Sequence, residues 1–322
     1  MAIRRIIVFL LLPTAVVAWR SNQAVSVPKS EASNGRADSA KTHYELGLAD
    51  MKVGKFDKAA EDFRQAISVQ PDFAKAYCKL GEAVHEGHVR RRETQHPKEE
   101  TDAFEMAIKL DPTLAEAYVG LGETFLPVVP TSEAEKKRRF GEAERYYRDA
   151  IAADPRYTDA YQALASLFIF EGNDQRFLDA EKQALLIDPD YKLALGTLEK
   201  YSYGEPLRDQ VPAIYQEVIA IHPGSGMLQW FLGRSLFDLH RYSEAVEPLK
   251  RAVEIDPLNE EAHFDLGRAY VYLGDMTKAE QECSVLKRLA LARHISSGLP
   301  DSRNLPEQLL SYIKEHESAP SH

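Results

Sequence analysis

Three histidines, His85, His88 and His96, lie beside Glu86 and Glu93 in one short stretch of the chain. Imidazoles three apart share a helix face and, with carboxylates nearby, can hold a divalent metal. Gly87 falls between the first two, however, and acids near histidines need no ion to explain them. Neither a metal nor any other cofactor is expected. A second set of residues points to recognition rather than bond-making. Lys200, Arg234 and Arg268 stand 34 residues apart, and rings keep step with them: Tyr203, then Trp230 and Phe237, then Phe264. Offsets of three and four place each cation and its rings on one helix face. Guanidinium forks recognise carboxylates, and aromatic rings add contact area, which is the chemistry of a protein-binding surface.

Two more basic stretches are Arg90-Arg91-Arg92 and Lys136-Lys137-Arg138-Arg139. They read either as a knob for an acidic partner or lipid phosphate, or as solvated helix balanced by Glu93, Glu99, Glu133 and Glu135. The sequence holds no Gly-rich phosphate loop, no Gly-x-Ser-x-Gly elbow, no His-Glu-x-x-His and no cysteine cluster. No catalytic residue is assigned, and the chain is not expected to be an enzyme.

The elements that must position these residues form a repeat. Pro155, Pro189, Pro223 and Pro257 follow one another every 34 residues, with Pro71 and Pro112 before them at intervals of 41 and 43. A leucine recurs in step: Leu46, Leu80, Leu121, Leu164, Leu198, Leu232 and Leu266. Glycine follows it at 47, 81, 122, 233 and 267, with Ala165 and Glu199 as departures. Ala66, Ala107, Ala150, Ala184, Val218 and Ala252 precede the prolines, mostly with aspartate immediately before the proline. Apolar spacing of three and four means helices, and a residue before proline is pushed out of the α region, so each second helix stops there. A fixed period of this size is the mark of a stacked-repeat solenoid. The two long intervals locate insertions between the paired helices of the second and third units.

The Leu-Gly and aromatic of the first helix, with Ala, aromatic, Ala and Pro in the second, resemble the tetratricopeptide repeat family over roughly residues 40–291. The resemblance implies an all-α, right-handed α-solenoid of about seven helix-turn-helix repeats, near 40–73, 74–114, 115–157, 158–191, 192–225, 226–259 and 260–291, followed by a C-terminal cap and tail over 292–322. It also implies that first helices line a concave groove. There Lys200, Tyr203, Trp230, Arg234, Phe237, Phe264 and Arg268 are the candidate partner-binding residues, and Glu82 and Glu123 give an acidic early stretch. One subtype of the family clamps a C-terminal carboxylate with Lys and Asn. Leu48, Lys79 and Glu82 stand where its asparagines would, so that mode is not expected.

The chain opens with Arg4 and Arg5, an apolar run from Ile6 to Ala18, and Val16-Val17-Ala18 before Trp19. This charged, apolar and small-residue order reads as a secretory signal over 1–18, followed by a flexible linker over 19–39. A membrane span needs about 20 apolar residues, so an uncleaved anchor is the weaker alternative to a periplasmic or extracellular product. Loss of Arg4 and Arg5 moves the net charge from −10 to −12. That balance opposes nucleic acid and anionic membranes as general partners. Cys78 and Cys283 are several units apart and too distant for a disulfide, so both read as small core residues. The function expected is an exported protein-interaction scaffold whose partner is a protein or peptide, with an acidic or C-terminal segment in the groove. The alternatives are an accessory subunit of an envelope enzyme or secretion complex and, behind it, a metal-dependent enzyme.

Overall fold

The computed structural model describes residues 36–93, 97–126, 132–202, 207–297 and 304–317. The expected signal, nearly all of the linker, His96 and Tyr203 lie outside these residues. Among the described residues there are fifteen helices and no strand. The chain divides into two compact units, Met1–Ala163 and Leu164–His322.

Unit 1 holds α1 (Arg36–Lys52), α2 (Phe56–Val69), α3 (Ala74–Arg91), α4 (Lys98–Leu110), α5 (Ala115–Glu123) and α6 (Glu133–Ala153). These pair as hairpins α1–α2, α3–α4 and α5–α6, each second helix packing on the next first helix. The division between units falls within α7 (Thr158–Glu171). Unit 2 continues with α8 (Asp174–Ile187), α9 (Lys192–Ser202), α10 (Val211–Ile221), α11 (Gly226–Asp238), α12 (Tyr242–Ile255), α13 (Glu260–Tyr272), α14 (Met276–Ser297) and α15 (Leu305–Glu317). The hairpins α11–α12 and α13–α14 repeat the pattern, and α15 closes over α13 and α14.

The repeated glycines are notches for the second helix. A Cβ on Gly47 would lie 2.6 Å from the Phe63 ring, on Gly81 2.7 Å from Phe104, on Gly122 2.5 Å from Tyr147 and on Gly233 2.5 Å from Leu249. Glycine costs about 1 kcal/mol in a helix interior, so its recurrence reflects this close approach. Glu199 occupies the same place in α9, and α9 touches α10 only lightly.

Helix ends follow from local chemistry. Ser132, Asn173, Ser225 and Asn259 accept hydrogen bonds from Glu135 N, Arg176 N, Leu228 N and Ala262 N, capping α6, α8, α11 and α13. At the other end, Asp111, Asp154, Asp188 and Asp256 each accept at Oδ1 the N–H two residues on, at 2.9–3.1 Å. The aspartate therefore turns the chain that the following proline has already stopped. Gly54, Gly172 and Gly274 take φ of 73°, 70° and 77° at turns between paired helices. Nothing lies within 4 Å of a Cβ built on Gly274, so Gly274→Ala isolates the backbone cost. It is expected to lower unfolding stability by about 1–2 kcal/mol, measured by urea titration.

Both insertions are partly absorbed as helix. The first helix α3 reaches 18 residues against 13 for α11 and α13, and the second helix α6 reaches 21 against 14 for α2. Arg90 and Arg91 close α3, whereas Lys136 to Arg139 lie in the first turns of α6.

Candidate functional site

In unit 2, α9, α11 and α13 lie side by side as successive first helices, and Lys200, Arg234 and Arg268 come one from each. Arg234 stands 5.5 Å from the centre of the Trp230 ring, and its Nη2 is 3.0 Å from Glu199 Oε1. Trp230 Nε1 reaches across to α13 and donates to Asp265 Oδ2 at 2.9 Å. Asp265 also accepts from Arg268 Nη1 at 3.2 Å. The Arg268 guanidinium lies among three rings, 4.2 Å from Phe237, 5.6 Å from Phe264 and 5.3 Å from Tyr312. Lys200 is exposed, 5.8 Å from the Tyr201 ring, and pairs with no carboxylate among the described residues.

The row therefore alternates cation, carboxylate and ring. Trp230 and Phe264 are partly exposed, as are Arg234 and Arg268 at 34% and 22% of the side chain, but Phe237 is buried and supports Arg268 from beneath. Burial raises the Asp238 carboxyl above its ordinary value, against the opposing charges of Arg234 and Arg268. Two participants escape the sequence pattern. Glu199 enters it only as a break in the run of glycines, and nothing in it connects Tyr312 of α15 with the row. Four contacts in this unit share an offset of one repeat plus one residue: Glu199–Arg234, Trp230–Asp265, Lys182–Glu217 and Asp190–Ser225. Opposite charges 35 residues apart would have found the first.

Unit 1 presents charge of another kind. Lys79 Nζ lies 2.9 Å from both Glu82 carboxylate oxygens and 2.6 Å from Glu116 Oε1. Burial opposes its charge, but the two glutamates outweigh that and hold the ammonium above its usual range. Cys78, Glu82 and Glu116 bring potential ligand atoms within 4.8 Å of one another, yet the Lys79 ammonium already sits against both carboxylates. Burial pushes the Cys78 thiol well up and the Tyr44 hydroxyl to about 12. Cys78 and Cys283 are both free and buried.

His85 Nδ1 faces Glu100 Oε1 at 2.8 Å and His88 Nδ1 faces Glu93 Oε2 at 3.3 Å, so the two Nδ1 atoms address separate glutamates. Burial works against the His85 imidazolium, but the Glu100 hydrogen bond and the charges of Glu123 and Glu86 raise it to about 9. In the second basic stretch, Arg138 pairs with Glu135, while Arg139 donates to Phe125 O and Thr124 O.

No curated protein matches the chain. Solved structures similar to it include TTC0263, a thermophilic TPR protein of Thermus thermophilus, which is 14% identical with a TM-score of 0.41, covering 72% of this chain and 99% of that one. Pseudomonas aeruginosa pilF is 14% identical with a TM-score of 0.42, over 86% and 99% of the two chains. YrrB, a TPR protein with an unusual peptide-binding site, is 16% identical with a TM-score of 0.36, over 78% and 99%. One segment in each unit, residues 47–86 and 233–274, matches the family model of the TPR repeat.

Proposed function

We propose that the chain is a protein-interaction scaffold that holds an acidic or C-terminal segment of another protein along α9, α11 and α13, and that it does so without chemistry of its own. The observation that carries this reading is the row of ring-supported guanidiniums, Arg234 on Trp230 and Arg268 on Phe264, one repeat apart and partly exposed. A guanidinium whose plane is fixed by rings and one carboxylate is already ordered. An incoming carboxylate then meets it at reduced entropic cost. Exposed Lys200 extends the row with a flexible charge. The charged, apolar and small-residue order of residues 1–18 supports action after export. A mature chain starting at Trp19 is the expected result of N-terminal sequencing.

The binding reading is tested by fluorescence anisotropy with an acidic 12-residue peptide and its Glu-to-Gln counterpart. The wild-type chain is expected to prefer the acidic peptide. Arg234→Glu with Arg268→Glu, and separately the surface change Lys200→Glu, are expected to weaken it, by at least tenfold for the double variant. Equal binding by the double variant, with helical content retained by circular dichroism, would sink the proposal.

A further inference from the structure

We propose that unit 1 carries an anion site for a phosphate monoester at the edge where the α1–α2 turn meets the end of α3. A pocket of about 390 Å³ opens there between Gly54, Lys55 and Lys58 on one side and Gly87, Arg90 and Arg91 on the other. The volume lies in the range of small-ligand sites. In a chain of net charge −10, four cations line this pocket and Asp57 is the single carboxylate among its walls.

Two of these cations are already held by carboxylates and two are not. Arg91 Nη1 holds Asp57 Oδ1 at 2.5 Å while its Nε holds Glu93 Oε1 at 2.6 Å, and Lys58 Nζ holds Asp50 Oδ2 at 2.6 Å. Arg90 is placed differently. Its Nη1 donates to Gly54 O at 2.7 Å and its guanidinium stands 6.0 Å from the Phe56 ring, with no carboxylate partner among the described residues. Lys55 is exposed and likewise pairs with no carboxylate among them. One anchored guanidinium with donors to spare and one flexible ammonium suit a tetrahedral anion, whose oxygens accept from an Arg fork and a Lys together.

Two glycines border the seat. A Cβ on Gly54 would come within 3.1 Å of Arg90 Nη1, and one on Gly87 within 3.0 Å of Arg91 Nη1. Gly81, six residues earlier in α3, makes room for the Phe104 ring, but Gly87 makes room for a guanidinium. The Phe56 ring gives the organic part of an ester an apolar wall.

The test uses amide NMR shifts of the full chain titrated with inorganic phosphate and with glycerol 3-phosphate at constant ionic strength. Saturable shifts are expected at Gly54, Lys55 and Gly87. Lys55→Gln with Arg90→Gln is expected to weaken both ligands at least tenfold, and Arg90→Lys, which keeps the charge without the fork, to weaken them severalfold. Lys136→Gln with Lys137→Gln should leave them unchanged. Flotation with phosphatidic acid against phosphatidylcholine vesicles separates the sources. Capture by the former that is lost in the double variant assigns a lipid headgroup, and shifts with free ester alone assign a soluble one. Absence of saturable shifts and of vesicle capture, equal affinity in the double variant, or equally tight binding of glutarate would each overturn the proposal.

Discussion

Phe104→Ala is expected to destabilise unit 1 by about 3–5 kcal/mol, the range for removing a fully buried phenylalanine. Phe104 is 1% exposed and belongs to two hairpins at once. Its ring fills the notch at Gly81 within its own hairpin and the one at Gly120 in the next, where an added Cβ would lie 2.7 and 2.3 Å from it. Cys78, Ala107, Ala117 and Leu121 complete the surrounding cluster. Cys78, Ala107 and Ala117 are small, so on their side little side chain is available to refill the space. A stack of repeats is held by nearest-neighbour contacts, and this truncation loosens both the α3–α4 hairpin and its contact with α5. Urea unfolding followed by circular dichroism measures the loss, and hydrogen exchange locates it. A change below about 1 kcal/mol would show that the hairpins close over the cavity, contrary to the packing described.

Stability that falls as the solution is made alkaline is the second expectation. The His85 pKa is raised to about 9 from an ordinary 6.5, so the folded state retains a proton that the unfolded state gives up. Its contribution is fully present below 6.5 and is lost as pH rises to about 9, on the order of 3 kcal/mol over the window. Glu100 is completely buried against the imidazole, and removing its charge takes away the hydrogen-bonded carboxylate of the imidazolium. Glu100→Gln is expected to cost about 3 kcal/mol near neutral pH and to flatten the slope between 6.5 and 9. Parallel unfolding titrations at about pH 6, 7.5 and 9 check both. A Glu100→Gln protein with the wild-type slope would assign the pH dependence to other groups.

The all-helical repeat was legible because its determinants are local. A proline and the aspartate before it act over a few residues, a glycine facing an aromatic acts within one hairpin, and each recurs in register. The aspartates illustrate this: Asp154, Asp188 and Asp256 make the same backbone turn because each Oδ1 accepts from the N–H two residues further along the chain. The row of Lys200, Arg234 and Arg268 was legible for the same reason, as a phase of the repeat. Asp265, three residues before Arg268 on the same helix, was legible as its partner too, but the contacts between helices were not. Glu199 reaches Arg234 and Trp230 reaches Asp265 across neighbouring helices, and that offset depends on how the hairpins are staggered. Tyr312 follows the last repeat, where the period no longer predicts position. The placement of Arg90 on Gly54 O likewise depends on two turns meeting in space.

Glu199 has a mechanical meaning as well. A hairpin whose two helices interlock through a glycine notch behaves as a stiff element, and α11–α12 in unit 2 is built that way. At α9–α10 a carboxylate side chain replaces the notch, and the helices share little surface. The carboxylate is used sideways instead: Glu199 reaches Arg234 of α11 at 3.0 Å, so α9 is fastened to the neighbouring first helix rather than to its own hairpin partner.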